Sequence, residues 1–268
     1  YNGVATAISG PGCSSCGTGT NESYLRDAYL NKTQITDGNG NITKQTFDGY
    51  GDVLTKTEAF GTLLQRVTIY TYHPTFHFLA TATVLSVDTL AQNRVETYTY
   101  DGANGNLLTE TLAGYTNGIA FTNTTTYTYN SHGQVLTSDG PRTDLSDVTT
   151  TTYYSDGDSD PAKRGRLRTV TNALGHVTTI NGYTLSGKST VMVDPNSVES
   201  DTSYDALDRL TSTTIKGATV PEDMTTSYTL NNDGLPVTVT LPNGNTLTYT
   251  YDTVHRLTQV TNQPGEKT

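Results

Sequence analysis

Tyr204-Asp205-Ala206-Leu207-Asp208-Arg209-Leu210-Thr211 and Tyr251-Asp252-Thr253-Val254-His255-Arg256-Leu257-Thr258 are two copies of one plan. Phe47-Asp48-Gly49-Tyr50-Gly51-Asp52-Val53-Leu54 and Tyr129-Asn130-Ser131-His132-Gly133-Gln134-Val135-Leu136 repeat it. Each part of the unit has a physical use. Asp or Asn after the aromatic closes a turn onto its own backbone. Gly51, Gly133 and Gly187, four residues after the anchor, supply the positive φ of a tight hairpin turn. Asp208 and His255 replace that glycine, which a left-handed turn position tolerates at a cost. The apolar residue two further on opens the return strand.

Working outward, aromatic anchors fall at Phe47, Tyr72, Tyr100, Tyr129, Tyr154, Tyr183, Tyr204, Tyr228 and Tyr251, spaced 21 to 29 residues apart. Each spacing accommodates about two strands and two turns. The approach strands alternate cleanly. Tyr70-Thr71-Tyr72, Tyr98-Thr99-Tyr100, Tyr127-Thr128-Tyr129 and Tyr249-Thr250-Tyr251 put tyrosines on one face and threonines on the other. Across neighbouring hairpins the tyrosines are expected to stack as an aromatic ladder. Second turns lie between units, at Asp37-Gly38-Asn39-Gly40-Asn41, Asn172-Ala173-Leu174-Gly175, Asp194-Pro195-Asn196 and Pro242-Asn243-Gly244-Asn245.

The expected fold is therefore all-β: tandem antiparallel hairpins forming one long, curved or spiralling sheet. Nine hairpins give about eighteen strands, a ribbon of roughly 85 Å at about 4.8 Å per strand. Open twisted sheets rarely exceed about ten strands without curling. Unpaired terminal edges invite end-to-end self-association. The array is assigned to residues 32–268. Residues 1–31 form a separate Gly/Ser-rich segment holding both cysteines, with Ser23 to Leu30 unresolved between helix and strand.

Composition agrees. Among 268 residues there are 18 Tyr against 5 Phe and no Trp, and Thr is abundant. Both types suit a pleated surface. A hydrophobic content of 33% is low for a thick core, as a sheet with a thinly covered face requires. The net charge of -10 lacks the concentrated basic surface that nucleic acid needs. No apolar run approaches a membrane span, so no membrane insertion is expected. The start at Tyr1 without Met suggests an excised piece of a larger protein.

At the quoted residues the chain resembles the RHS/YD-repeat family. The Tyr-Asp pair, the glycine four residues later, Arg-Leu-Thr and the intervening Asn-Gly turns match that family's loose repeat across roughly residues 32 to 262. Gly12-Cys13-Ser14-Ser15-Cys16-Gly17 also resembles a stretch that precedes such arrays. The resemblance implies a spiralling β shell, which in bacterial members encloses a C-terminal toxin. Related repeats occur in insecticidal toxin complexes and animal teneurins. The aspartate-based self-cleaving segment that releases the cargo in such shells has no counterpart in this sequence. The role implied by the resemblance is that of a structural, non-catalytic piece of wall, secreted or at the cell surface, whose partner is an enclosed or displayed polypeptide. The alternative is an extracellular adhesion or carbohydrate-binding module, using Tyr98, Tyr127 and Tyr249 as a stacking platform.

Candidate chemistry is sparse. Cys13 and Cys16 form a lone Cys-x-x-Cys without the two further ligands zinc needs. A local disulfide is favoured over free thiols. Asp156, Asp158 and Asp160 alternate as calcium ligands do. However, Pro161 stands where an EF-hand loop needs Gly, and Leu167 where it needs the closing Glu, so a solvated acidic insertion is expected. His73 and His77 are four apart, but Pro74 argues against a shared helix, and on a strand they lie about 13 Å apart. Neither a Gly-x-Ser-x-Gly elbow nor a phosphate loop occurs. No enzyme activity, metal or cofactor is expected.

Overall fold

The computed structural model describes residues 22–87 and 92–262, together with the backbone of 7–8 and 266–267. Cys13 and Cys16 lie outside the described residues. Among the described residues the regular structure is strand throughout, apart from a single 3-10 turn at Val220–Glu222. The chain divides into two units, Tyr1–Leu145 and Ser146–Thr268.

The first unit holds β1 (Ala7–Ile8), β2 (Glu22–Arg26), β3 (Lys32–Thr36), β4 (Ile42–Phe47), β5 (Val53–Glu58) and β6 (Arg66–Tyr72). It continues with β7 (Leu79–Val84), β8 (Arg94–Tyr100), β9 (Leu107–Thr116), β10 (Ile119–Tyr129) and β11 (Val135–Asp139). Each strand pairs antiparallel with the next in sequence. The second unit is the same kind of meander. It contains β12 (Thr149–Tyr153), β13 (Leu167–Thr171), β14 (Val177–Tyr183), β15 (Ser189–Val193), β16 (Glu199–Tyr204) and β17 (Leu210–Ile215). After these come β18 (Met224–Leu230), β19 (Pro236–Thr240), β20 (Thr246–Tyr251), β21 (Leu257–Asn262) and β22 (Glu266–Lys267), again paired in sequence. The all-β, tandem-hairpin architecture expected from the sequence is what the chain adopts.

Most of the main turns share one geometry. In the β4–β5 hairpin, Asp48 N donates to Asp52 O at 2.9 Å and Gly51 N to Asp48 O at 3.3 Å. Gly51 itself has φ 92°. This is a type I turn followed by a left-handed residue, whose extra residue shifts the ladder register. The shift falls between Thr46 and Phe47 here, and between Thr99 and Tyr100 or Thr250 and Tyr251 elsewhere. The Asp or Asn side chain adds the inner bonds. Asp48 Oδ1 accepts from Tyr50 N (2.8 Å) and Asp52 N (2.9 Å). Asn130, Asp205, Asn231 and Asp252 do the same.

The register corrects the sequence assignment in three places. In β18 the shift lies between Thr229 and Leu230, and Leu230 pairs with Pro236. Leu230, not Tyr228, therefore holds the anchor position. Residues two apart share a face, so alternation could not separate them. In β12 the pairing of Tyr153 with Leu167 makes Tyr153 the anchor and moves Tyr154 into the position following it. Third, β2 and β3 form a hairpin of the same plan, with Arg26 pairing Lys32 across the shift and Leu30 at φ 70°. The repeated plan thus begins at Glu22 among the described residues, ahead of residue 32. A search on aromatic anchors misses it because the position is Arg26. The cue lay in Asp27 and Asn31, whose turn bonds match those of Asp48 and Asp52.

Burial is thin. Among the described residues only Tyr24, Thr68, Ala82, Gly114, Ala162 and Val239 are buried, and no side chain falls below 2% exposure. Tyrosines of the approach strands are half-buried, whereas the intervening threonines face water. Those threonines bond in cross-strand pairs, Thr46–Thr55 at 2.6 Å, Thr71–Thr81 at 2.7 Å, Thr99–Thr109 at 2.6 Å and Thr128–Thr137 at 2.6 Å. An antiparallel sheet can keep one face wet in this way.

Candidate functional site: tyrosine rungs and an Asp-Asp-His cleft

Between hairpins the ladder stops short. The β5–β6 pairing ends at Thr55 and Ile69, so the carbonyl of Val53, two residues nearer the turn, lies beyond the last rung. Tyr72 reaches it from β6 and donates its hydroxyl at 2.9 Å. The same bond recurs from Tyr100 to Leu79 O (2.8 Å), Tyr129 to Leu107 O (2.7 Å) and Tyr183 to Leu167 O (2.7 Å). Tyr204 bonds Ser189 O at 3.4 Å and Tyr251 bonds Pro236 O at 2.9 Å. In every case the acceptor opens the preceding return strand. Phe47 and Leu230 hold the same position without a hydroxyl. Tyr154, displaced by one residue, instead donates to Ile180 O at 2.8 Å, where β14 is interrupted by a register shift. Burial raises the pKa values of the Tyr72, Tyr100, Tyr129 and Tyr183 hydroxyls, which keeps them donors.

The stacked aromatic ladder is not how the anchors meet. Equivalent positions in successive hairpins are two strands, or about 9.6 Å, apart, beyond the roughly 4.5–7 Å of ring stacking. A phenol spans one strand and ends at a carbonyl. The rings take other neighbours: Phe78 lies 5.3 Å from Tyr100, Arg166 is 5.5 Å above Tyr183 and Lys188 is 4.9 Å above Tyr204.

At three turns the left-handed position is a polar residue whose side chain bonds the preceding turn. His77 (φ 56°), Asp208 (φ 59°) and His255 (φ 63°) reach Asp52 at 2.9 Å, Ser186 at 2.8 Å and Asp233 at 3.5 Å. These contacts offset part of the positive-φ cost, about 1 kcal/mol. The Arg of Arg-Leu-Thr braces its own turn: Arg209 Nε and Arg256 Nε each donate to the turn aspartate, Asp205 or Asp252, at 2.7 Å, and Arg209 Nη1 also donates to Asn231 O at 3.0 Å.

The most concentrated chemistry lies between the β4–β5 and β6–β7 turns. Asp48, Tyr50, Leu54, Tyr70, Tyr72 and His77 line a cleft of about 420 Å³. One ligand atom from each of Asp48, Asp52 and His77 lies within 4.8 Å of the others. His77 Nδ1 donates to Asp52 Oδ2 at 2.9 Å, and the Tyr50 ring sits 4.1 Å from the His77 ring. Partial burial works against the Asp48 carboxylate, but the N–H groups of Asp52, Tyr50 and Gly51 and the nearby His77 hold its pKa below the usual value. His73 does not join this group. Its Nδ1 accepts from Thr75 N and Phe76 N, both at 3.3 Å, so it replaces the turn aspartate. Asp158 and Asp160 likewise cap backbone N–H groups, of Asp160 and Ala162, each at 2.9 Å. With Asp156 they do not form a convergent ligand group, and Asp48, Asp52 and His77 are the one such set among the described residues.

Comparison with known proteins bears on the fold. The chain is similar to TcdB2-TccC3 without its hypervariable C-terminal region, at 13% identity and TM-score 0.51, over 95% of this chain and 16% of that one. A Photorhabdus luminescens Tc holotoxin pore aligns at 12% identity and TM-score 0.47, over 95% of this chain and 18% of that one. The chain therefore spans less than a fifth of either. No curated protein sequence matches it. The family model of the RHS repeat matches residues 224–265, a stretch running from β18 through the Leu230 and Tyr251 turns. Residues 224–265 therefore carry an RHS repeat, and the turn and register found there recur from β2 to β21.

Proposed function

We propose that this chain is a non-catalytic stretch of an RHS-type wall, which encloses or displays another polypeptide of its parent protein. The enclosed partner we favour is a C-terminal toxin, and the site of action is outside the producing cell or at its surface. The observation that carries this reading is the run of phenol-to-carbonyl rungs. At Tyr72, Tyr100, Tyr129, Tyr183, Tyr204 and Tyr251 they tie a hairpin to the one before it with bonds that need no second layer, as a thin wall requires. The turn carboxylates each cap backbone N–H groups through one oxygen, which gives them a structural role. An adhesion or carbohydrate-binding role has less support, because Tyr98, Tyr127 and Tyr249 are half-buried and present little free ring face. The test is limited proteolysis of the parent polypeptide. A downstream segment cut markedly more slowly within the parent than when expressed alone supports the wall. Equal cleavage rates for the two refute it.

A further inference from the structure

We propose that Asp48, Asp52 and His77 bind a divalent transition metal of the zinc class, fastening the turns of two consecutive hairpins together. The site goes beyond the wall role and does not depend on it. The ligands come from the β4–β5 turn (Asp48, Asp52) and the β6–β7 turn (His77), with their ligand atoms mutually within 4.8 Å. In a tetrahedral zinc site with bonds of about 2.0–2.2 Å, ligand atoms stand about 3.3 Å apart. The His77 Nδ1 to Asp52 Oδ2 distance is already 2.9 Å, and modest side-chain rotation brings in Asp48. Metal replaces the proton shared by that pair, and neutral imidazole binds through Nδ1 with its own proton on Nε2.

The donor set selects the ion. Calcium takes six to eight oxygens and magnesium a largely hydrated octahedron; a single imidazole with two carboxylates suits zinc and its neighbours. Two carboxylates match the dipositive charge. Support behind the ligands is in place: Asp48 Oδ1 is held by the N–H groups of Tyr50 and Asp52 at 2.8 and 2.9 Å, which leaves Oδ2 for the metal. The Tyr50 ring packs 4.1 Å from that of His77. Such orienting contacts are typical behind metal ligands. Three protein ligands leave a fourth position for water facing the 420 Å³ cleft.

The experiment uses the whole chain, stripped with chelator, in a Cys13→Ser, Cys16→Ser background so that the thiols cannot compete. Zinc is titrated calorimetrically, and cobalt is followed by the visible bands of tetrahedral coordination. His77→Gly removes a ligand while restoring the residue type found at most of these turn positions, so folding is retained. Asp48→Asn keeps the turn, since Asn130 and Asn231 make the same bonds in theirs. The expected result is one zinc per chain, weakened at least about tenfold in either variant and unaffected by His255→Gly. A melting temperature raised by about 5 °C at zinc 100-fold above its dissociation constant accompanies it, with no shift from calcium. Absence of binding, or affinity unchanged in His77→Gly, overturns the proposal.

Discussion

Replacing Tyr100 with Phe deletes one oxygen and leaves the ring against Phe78, 5.3 Å away. What is lost is the 2.8 Å bond to Leu79 O. That carbonyl lies beyond Thr81 and Thr97, where the β7–β8 pairing ends, so no ladder bond replaces it. A neutral hydrogen bond is worth about 1 kcal/mol net, and an orphaned buried acceptor costs up to about 3. Here the site is only half-buried and water can reach the carbonyl, so the lower figure applies. About 1 kcal/mol is a roughly fivefold change in a local opening equilibrium. Repeat arrays lose stability mainly at the affected interface, so hydrogen exchange should quicken about fivefold in β7 and β8 and little in β4 or β11. The reciprocal change, Phe47→Tyr, supplies a phenol opposite Lys32, whose strand pairing likewise ends two residues on, at Gln34 and Lys44. It should slow exchange there by a similar factor. Unchanged exchange in Y100F together with no gain in F47Y would refute the rung as the inter-hairpin fastening.

The turn carboxylates and the phenols bound the pH range of stability from opposite sides. The pKa values of Asp205 and Asp252 are lowered, first by the backbone N–H groups of Arg209 and Arg256. Their stabilisation is complete above the ordinary value of about 3.9 and is lost as pH falls through the lower folded value. Urea midpoints measured from neutral to acid pH should therefore decline less in the D205N/D252N variant, whose asparagines close the turn without titrating. Burial raises the Tyr72, Tyr100, Tyr129 and Tyr183 values, so their contribution holds below about 10 and disappears as pH rises through the higher folded values. Alkaline unfolding should begin only where these phenols ionise, as tyrosinate absorbance will report. Asp208→Gly relieves φ 59° but breaks the 2.8 Å bond with Ser186. A double-mutant cycle with Ser186→Ala should show coupling of about 0.5–1 kcal/mol, and additive effects would contradict that contact.

The sequence by itself determined the strand class, the hairpin repeat and the turn chemistry, because each is settled within a few residues. An aspartate bonds N–H groups two and four positions on, and a glycine four after the anchor needs no distant partner. Alternation likewise placed Tyr98 and Tyr100 on the covered face and Thr99 on the wet one. Only the tertiary structure decided the register, since a period of two cannot tell Tyr228 from Leu230, and the bulge that does so is a property of the paired strands. It also decided what the anchors bind: the acceptor for Tyr72 lies 19 residues earlier, at a ladder end that exists only once neighbouring hairpins pair. The Asp48, Asp52 and His77 group has the same origin. Successive turns fall at the same end of the sheet about two strands apart, so residues 25 positions distant in sequence come within 2.9 Å, while His73, closer in sequence to Asp52 than His77 is, turns inward to cap its own loop.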